Sequence, residues 1–199
     1  LALLAQRVPT QRRLVRSGET IYASGDRLSE LHVVRCGAFK RLETDADGQV
    51  QLSGLPVRGD WLGLEDIARG RHHCSAVAID VGEIWSIHYP SLVRACSQSP
   101  ALMSLLLCAM SREMHRDQDL LRSLRMLPAA ARVAEFLRKH LESLVGRGLR
   151  TDRVRLQLTH LEIGSYLGLT RESVGRALGK LAQEGVIAFA PDGRREMRI

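Results

Sequence analysis

Four positions near the end of the 199-residue chain have the types and spacing to read a nucleic acid. Arg171, Glu172, Gly175 and Arg176 are separated so that a helix through them puts all four on one face of its first turns. Arginine donates two hydrogen bonds to O6 and N7 of guanine, and glutamate accepts from the N4 amine of cytosine. Arg176 and Glu172 can thus read one G·C pair, with Arg171 a third reader or a phosphate contact. Thr159, Thr170 and Ser173 add hydroxyls at the starts of two short helices, where phosphate is readily held. Arg194 and Arg195 follow Asp192-Gly193 at a turn and are suited to phosphate as well.

Other groupings offer different chemistry. His72, His73 and Cys74 are three adjacent potential metal ligands. Neighbouring side chains diverge in an extended segment, so they converge poorly on one ion, and a haem or metal role is the lesser reading. Asp60, Glu65 and Asp66 read as a solvated acidic turn more readily than as a catalytic pair. The four cysteines, Cys36, Cys74, Cys96 and Cys108, include no Cys-x-x-Cys pair. That argues against a disulfide framework and for reduced thiols packed as small apolar groups. Redox-sensitive thiols at Cys36, Cys96 and Cys108 are the alternative. The sequence has no Gly-rich nucleotide loop, no His-Glu-x-x-His and no Gly-x-Ser-x-Gly. An enzyme is not expected.

The elements that must position the C-terminal group are legible around it. Thr159 with Glu162 is a capping box opening a short helix. Gly168-Leu169-Thr170 breaks it after two turns, and Thr170 can cap a second helix to about Gln183. Val174, Leu178 and Leu181 then face inward. Two short helices joined by a tight glycine turn are a helix-turn-helix, whose second helix offers its N-terminal outer face to base edges. Spans 186–190 and 195–199 flank Pro191-Asp192-Gly193-Arg194 as a β wing.

Upstream, residues 8–90 read as short strands at 20–23, 31–36, 38–44, 49–55, 75–79 and 83–87, broken by glycine turns. Asp47-Gly48 fits a hairpin turn. Such a pattern indicates an all-β barrel or jelly roll. Residues 100–127 form one helical pattern without internal glycine or proline, about 40 Å long. Met103, Met110, Asp117 and Leu124 recur by seven. Leu106, Leu120 and Leu127 follow a second line with Glu113 between them, and Met114 and Leu121 lie beside the lines. The pattern describes a coiled-coil seam that pairs with its own copy, or a helix lying on its own β domain, and the two are compatible. Asp117 falls either in that seam or on its rim, bonded to Arg116, Arg122 or water. Pro128 interrupts the pattern, and a second helix follows at about 129–144. The expected class is α+β, with a jelly-roll β-roll over 1–99, a dimerisation helix over 100–127 and a winged helix-turn-helix over 128–199.

Charge agrees with this division. Lysine and arginine total 29 against 22 acids, a net charge of +7. Residues 1–100 hold 12 basic and 11 acidic groups, whereas 101–150 hold 9 and 5. The basic rear half points to a polyanion partner. An apolar content of 45% is ordinary for a globular chain and argues against disorder. The longest apolar run, residues 101–110, is too short to span a bilayer. The first residues lack the apolar core of a secretion signal, so a cytoplasmic place is expected.

The segment Arg171-Glu172-Ser173-Val174-Gly175-Arg176 resembles the recognition helix of the CRP/FNR superfamily of bacterial transcription regulators, whose cyclic-AMP-binding members read Arg-Glu-Thr-Val-Gly-Arg. The order β-roll, long helix, winged helix resembles that superfamily over essentially the whole chain. Gly59-Asp60-Trp61-Leu62-Gly63, then Gly70, His72-His73 and Ser75, is similar to the FNR branch, as is Asp117-Gln118-Asp119. The resemblance implies a homodimer on a palindromic duplex with half-sites containing TGA, contact with RNA polymerase, and control by an effector, redox or gas signal at the β-roll. It also implies that Asp117 opposes dimer formation until the sensor is occupied.

Two departures bear on the signal. Where cyclic-AMP binders hold a ribose glutamate and a phosphate Arg-Ser pair, this chain has Leu64, Cys74 and Ser75. Cyclic AMP is therefore not the expected effector. FNR holds a [4Fe–4S] cluster on N-terminal cysteines and one β-roll cysteine, a position that aligns near Ser86. The chain begins at Leu1 without that set, and a segment trimmed ahead of it would restore only part of four thiolates. A different class of reading stays open beside the regulator: a β-roll small-molecule binding module whose helical tail makes protein contacts.

Overall fold

In strand β3 (Glu30–Cys36) four successive residues, Leu31, His32, Val33 and Val34, are buried. A strand buried on alternate residues has one covered face; burial at every step means that both faces are covered. The computed structural model describes residues 2–146, 154–190 and 193–198 and shows what covers them. One sheet has the order β1-β8-β3-β6, formed by β1 (Gln11–Val15), β8 (Gly82–His88), β3 and β6 (Trp61–Leu62). The other has the order β2-β7-β4-β5, formed by β2 (Thr20–Tyr22), β7 (Ser75–Ala78), β4 (Phe39–Thr44) and β5 (Val50–Gly54). All pairings in both are antiparallel.

Val15, Ile21, Tyr22, Val34, Phe39, Leu62, Cys74, Ala76 and Ile84 form one apolar core drawn from both sheets. A second core lies on the other face of β3. There Leu31 and Val33 pack with Leu4 and Val8, with Leu92 and Cys96 of α2 (Tyr89–Gln98), and with Leu102 and Ala109 of α3 (Pro100–Met126). Leu4 belongs to a short first helix, α1 (Ala2–Arg7). The expected strands are present within a residue or two of their read positions. The hairpin at Asp47-Gly48 is fixed by Asp45, whose carboxylate accepts from the amides of Asp47 (3.0 Å) and Gln49 (2.9 Å).

In the β domain two strands and two helices go beyond the sequence reading. Strands β1 and β6 are too short or too basic to announce themselves, since Gln11–Val15 contains two adjacent arginines. Helices α1 and α2 are each under eleven residues, and α2 starts with Pro90 in its first turn, where the strand pattern of residues 8–90 ends. Contacts divide the chain into two units, Leu1–Asp117 and Gln118–Ile199.

In the second unit, α4 (Ala129–Gly146) precedes α5 (His160–Leu167) and α6 (Arg171–Gln183). Val133, Phe136 and Leu137 of α4, Ile163 and Leu167 of α5, and Val174, Ala177, Leu178 and Leu181 of α6 are buried. Arg132 donates to the carbonyls of Leu127 (2.8 Å) and Leu167 (3.1 Å), satisfying two helix-end acceptors at once. The wing is a three-stranded sheet: β10 (Ala188–Ala190) pairs β11 (Gly193–Arg198), and β11 pairs β9 (Val154–Arg155). The read hairpin lacked β9. Its turn residues Pro191 and Asp192 lie outside the described residues, as do the side chains of Arg194 and Arg195 on β11.

Candidate functional site

The helix-turn-helix is held by hydrogen bonds that the residue types dictate. Thr159 Oγ1 accepts from the Glu162 amide (3.1 Å), and Glu162 Oε2 accepts from the Thr159 amide (2.8 Å). This reciprocal box satisfies two amides that a helix start leaves open. Helix α5 ends on Gly168, whose φ of 60° is the left-handed conformation a side chain disfavours. At Gly164 a Cβ would stand 2.6 Å from the Leu169 carbonyl, so only glycine lets the turn close this tightly on α5. Thr170 then caps α6 by accepting from the Ser173 amide (3.2 Å).

That frame places the read set as its spacing predicts. Arg171, Glu172 and Arg176 are exposed, Ser173 and Gly175 are partly covered, and Val174, Ala177 and Leu178 are buried behind them. Arg176 Nη2 donates to Ser173 Oγ (3.1 Å). The amide of Glu172 itself, then the Thr170 hydroxyl, hold the Glu172 carboxyl below its ordinary range. Glu172 is therefore an anion and an acceptor at neutral pH. Two guanidinium groups and one carboxylate share a single exposed helix start.

Helix α3 divides its faces sharply. Leu102 and Ala109 are buried against the β domain, and Leu105 and Leu106 pack partly on the same core. Met103, Leu107, Met110, Met114 and Leu121 are exposed, Asp117 is exposed among them, and Leu120 and Leu124 are half-buried. Leu107, not Leu106, continues the exposed line at three- and four-residue steps. The line through Leu106 and Glu113 turns toward the β domain instead. Arg116 bonds Asp60 and Arg122 bonds Asp119 (3.2 Å), so neither of the two arginines considered for Asp117 goes to it.

The interior of the β domain departs from the expectation of a solvated acidic turn. Asp60 and Asp66 are buried, and Glu65 is mostly so. Arg41 of β4 pairs with Glu65 (2.9 Å) and with Glu113 of α3 (2.8 Å). Burial pushes the Glu113 carboxyl up against the pull of Arg41 and Arg116. Asp66 comes from a single 3-10 turn, Leu64–Asp66, that faces the segment before β7. It accepts from the His73 amide (3.1 Å) and from His73 Nδ1 (2.6 Å). Asp66, His73 and Cys74 each offer a ligand atom within 4.8 Å of the others. The adjacent-residue reading missed this convergence because its third member lies seven residues upstream of His73.

The groups implied by resemblance fit this interior poorly. Leu64 and Cys74, at the ribose and phosphate positions, are buried and uncharged. Burial, followed by the Glu65 charge, pushes the Cys74 thiol up to about 12. Arg41, the cation nearby, is already opposed by two carboxylates, so a cyclic phosphate would meet negative charge. Cys36 and Cys108 are exposed, against the expectation of packing, while Cys74 and Cys96 are buried. Among the described residues no group of three thiols converges, and Ser86 is bonded to His32 Nδ1 (2.9 Å).

That His32 carries a pH dependence. Burial, then the neighbouring His72, lowers its pKa from an ordinary 6.5 to about 4. The unfolded chain therefore takes up a proton that the folded chain refuses between those values. Stability from this group is present above pH 6.5 and falls as pH drops toward 4. Between pH 7.5 and 5 the loss should be about 2 kcal/mol. Urea midpoints of the wild type and His32→Gln at both pH values check this. An equal pH loss in the two proteins would remove His32 as the cause.

Comparison with known proteins fits the two units. Residues 12–99 match the cyclic nucleotide-binding domain, and residues 131–199 match the Crp-like helix-turn-helix domain. The transcriptional regulatory protein btr of Bordetella pertussis is 32% identical over 189 residues, 95% of this chain and 77% of that protein. The fumarate and nitrate reduction regulatory protein of Escherichia coli is 30% identical over 178 residues, 89% of this chain and 71% of that protein. Among solved structures, FixK2 from Bradyrhizobium japonicum superposes with a TM-score of 0.80 at 27% identity, covering 96% of this chain and 93% of that one. No helix of the described residues is long and apolar enough to cross a membrane. With regulators aligned along nearly all of its length and both domain models matched in order, the chain belongs to the CRP/FNR family of transcription regulators.

Proposed function

We propose that two copies of the chain bind one imperfectly palindromic DNA duplex, each laying α6 in the major groove of a half-site. The supporting observation is the exposed start of α6, where Arg171, Glu172 and Arg176 stand on a helix fixed by Thr170. Arg176 and Glu172 read a G·C pair, and Arg171 takes a further base or a phosphate. Thr159, Thr170 and Ser173, with Arg194 and Arg195 of the wing, hold phosphate. Gly175 keeps the reading face low between them. Residues 1–99 sense, 100–127 dimerise and 128–199 bind DNA. RNA polymerase is the protein partner, the cytoplasm the compartment, and the role regulatory, not enzymatic.

The test is fluorescence anisotropy on a TGA-containing palindrome and a scrambled duplex across a salt series. Neutralising phosphates gives a steep fall of affinity with salt. Equal affinity for both duplexes, or a flat salt response, would overturn the proposal in favour of a binding module whose tail contacts protein.

The pairing surface is the exposed line of Met103, Leu107, Met110, Met114 and Leu121. In a parallel two-fold pair Asp117 meets its own copy there. Two like charges at 4 Å in water repel by about 1 kcal/mol. Asp117→Ala should therefore tighten dimerisation about fivefold and raise duplex affinity without any effector. Sedimentation equilibrium on both proteins at neutral pH checks it, and equal dissociation constants would leave Asp117 outside the seam.

A further inference from the structure

We propose that Asp66, His73 and Cys74 bind one divalent transition-metal ion of borderline softness, of the zinc or ferrous class, and that this ion is the signal entering the β domain. The second half of the proposal rests on the reading of the chain as a DNA-binding regulator.

The donor set selects the metal class. A carboxylate oxygen, an imidazole nitrogen and a thiolate sulfur together suit zinc and its neighbours, whereas magnesium and calcium take oxygen alone. The three ligand atoms lie within 4.8 Å of one another. Ligand pairs around a tetrahedral zinc are about 3.3–3.8 Å apart, so small side-chain rotations close the site. A bare Asp–His pair accounts for the 2.6 Å contact of His73 with Asp66. It does not account for what else is aimed at the same carboxylate.

His72 is the independent observation. Its side chain is 3% exposed, and its Nδ1 lies 3.4 Å from Asp66 Oδ2 yet has no hydrogen-bond partner. Stacking on Tyr22, with ring centroids 3.6 Å apart, holds the ring in that place. A buried imidazole nitrogen without a hydrogen bond costs free energy, and this one faces the carboxylate proposed to hold the ion. Charge points the same way. Asp66, Glu65 and Glu113 are buried or nearly buried carboxylates, and Arg41 is paired with two of them. His73 keeps 27% of its side chain exposed, so the site is reached from solvent on the His73 side.

The site is wired to α3. The Cys74 thiol is 3.9 Å from Glu65 Oε1, Glu65 pairs with Arg41, and Arg41 pairs with Glu113. Metal binding converts the thiol to a thiolate and releases its proton to solvent. Cys74 then no longer donates to Glu65, and the Arg41 bridge to α3 is re-weighted.

The experiment titrates the reduced, chelator-treated full chain with Co2+ under anaerobic conditions, then with Zn2+. One equivalent of Co2+ should bind with a thiolate-to-cobalt charge-transfer band, and Zn2+ should displace it. Cys74→Ser should remove the band, while a Cys36→Ser/Cys108→Ser double variant should retain it. Asp66→Asn and His73→Ala should each weaken Co2+ by about tenfold or more. Thermal melts of the metal-free variants show that each is folded, and the Cys74→Ser band decides if the other two are not. No band in folded wild type, or a band that survives Cys74→Ser, overturns the site. A second arm measures palindrome affinity with and without one equivalent of Zn2+, with a change of about fivefold or more expected. Unchanged affinity overturns the signal role. Failure to bind the duplex in either state overturns the regulator reading and the signal role with it, while the Co2+ arm still decides the site.

Discussion

Arg176→Ala should weaken duplex binding by about 1–3 kcal/mol per half-site and flatten the base preference at one position. In the free protein the Arg176 guanidinium leans on Ser173 Oγ, a neutral contact at an exposed surface. Exchanging it for two bonds to guanine O6 and N7 therefore sacrifices little. Glu172 stays ionised beside it and accepts from the paired cytosine, so the two side chains inspect both partners of one base pair. Arg176→Lys separates charge from geometry: it keeps the attraction for phosphate and loses the planar fork. Affinity for a set of duplexes, each changed at one base pair, measures the preference directly. A preference that survives Arg176→Ala unaltered would assign the reading to another residue.

The parts of this fold visible in the sequence are those set by local chemistry. Thr159 with Glu162, Gly168 and Thr170 each act on backbone groups within a few residues, so the helix-turn-helix could be placed before its tertiary contacts were known. The exposed face of α6 followed, because helical spacing decides which residues lie opposite Val174 and Leu178. The β domain was legible as a set of strands and turns, but its interior was not. Asp60, Glu65 and Asp66 look like a hydrated turn in one dimension, and nothing local says that Arg41, about twenty residues upstream, is folded against them. Glu113 offered one signal: an acid standing in an otherwise apolar heptad line, which a buried cation explains. Leu106 and Leu107 show the limit of periodicity from the other side. Both fit a seam, and the sheet beneath α3 determines which of them it covers.

Arg41→Met should destabilise the metal-free protein by about 3–5 kcal/mol, the largest single effect expected in the chain. The substitution keeps much of the volume and removes the charge, leaving the largely but not fully buried carboxylates of Glu65 and Glu113 with no guanidinium between them. Space for Arg41 is built in from the sheet: a Cβ at Gly54, its neighbour across β4 and β5, would collide with the guanidinium. The deficit should depend on pH with a definite sign. Without Arg41 the Glu113 carboxyl, already pushed up by burial, is pushed up further, because Arg116 alone then opposes burial and the neighbouring Glu65 charge. Such a group costs stability at neutral pH and costs progressively less as pH falls and it takes up a proton. The gap between wild type and variant should therefore narrow from pH 7.5 to pH 5. Adding Glu65→Gln and Glu113→Gln to Arg41→Met should recover most of the loss, since a neutral interior no longer needs the cation. Urea unfolding in chelator at the two pH values provides all of these numbers. A loss under about 1 kcal/mol, or a gap that does not change with pH, would mean that water already screens the three groups, as it screens ordinary surface pairs.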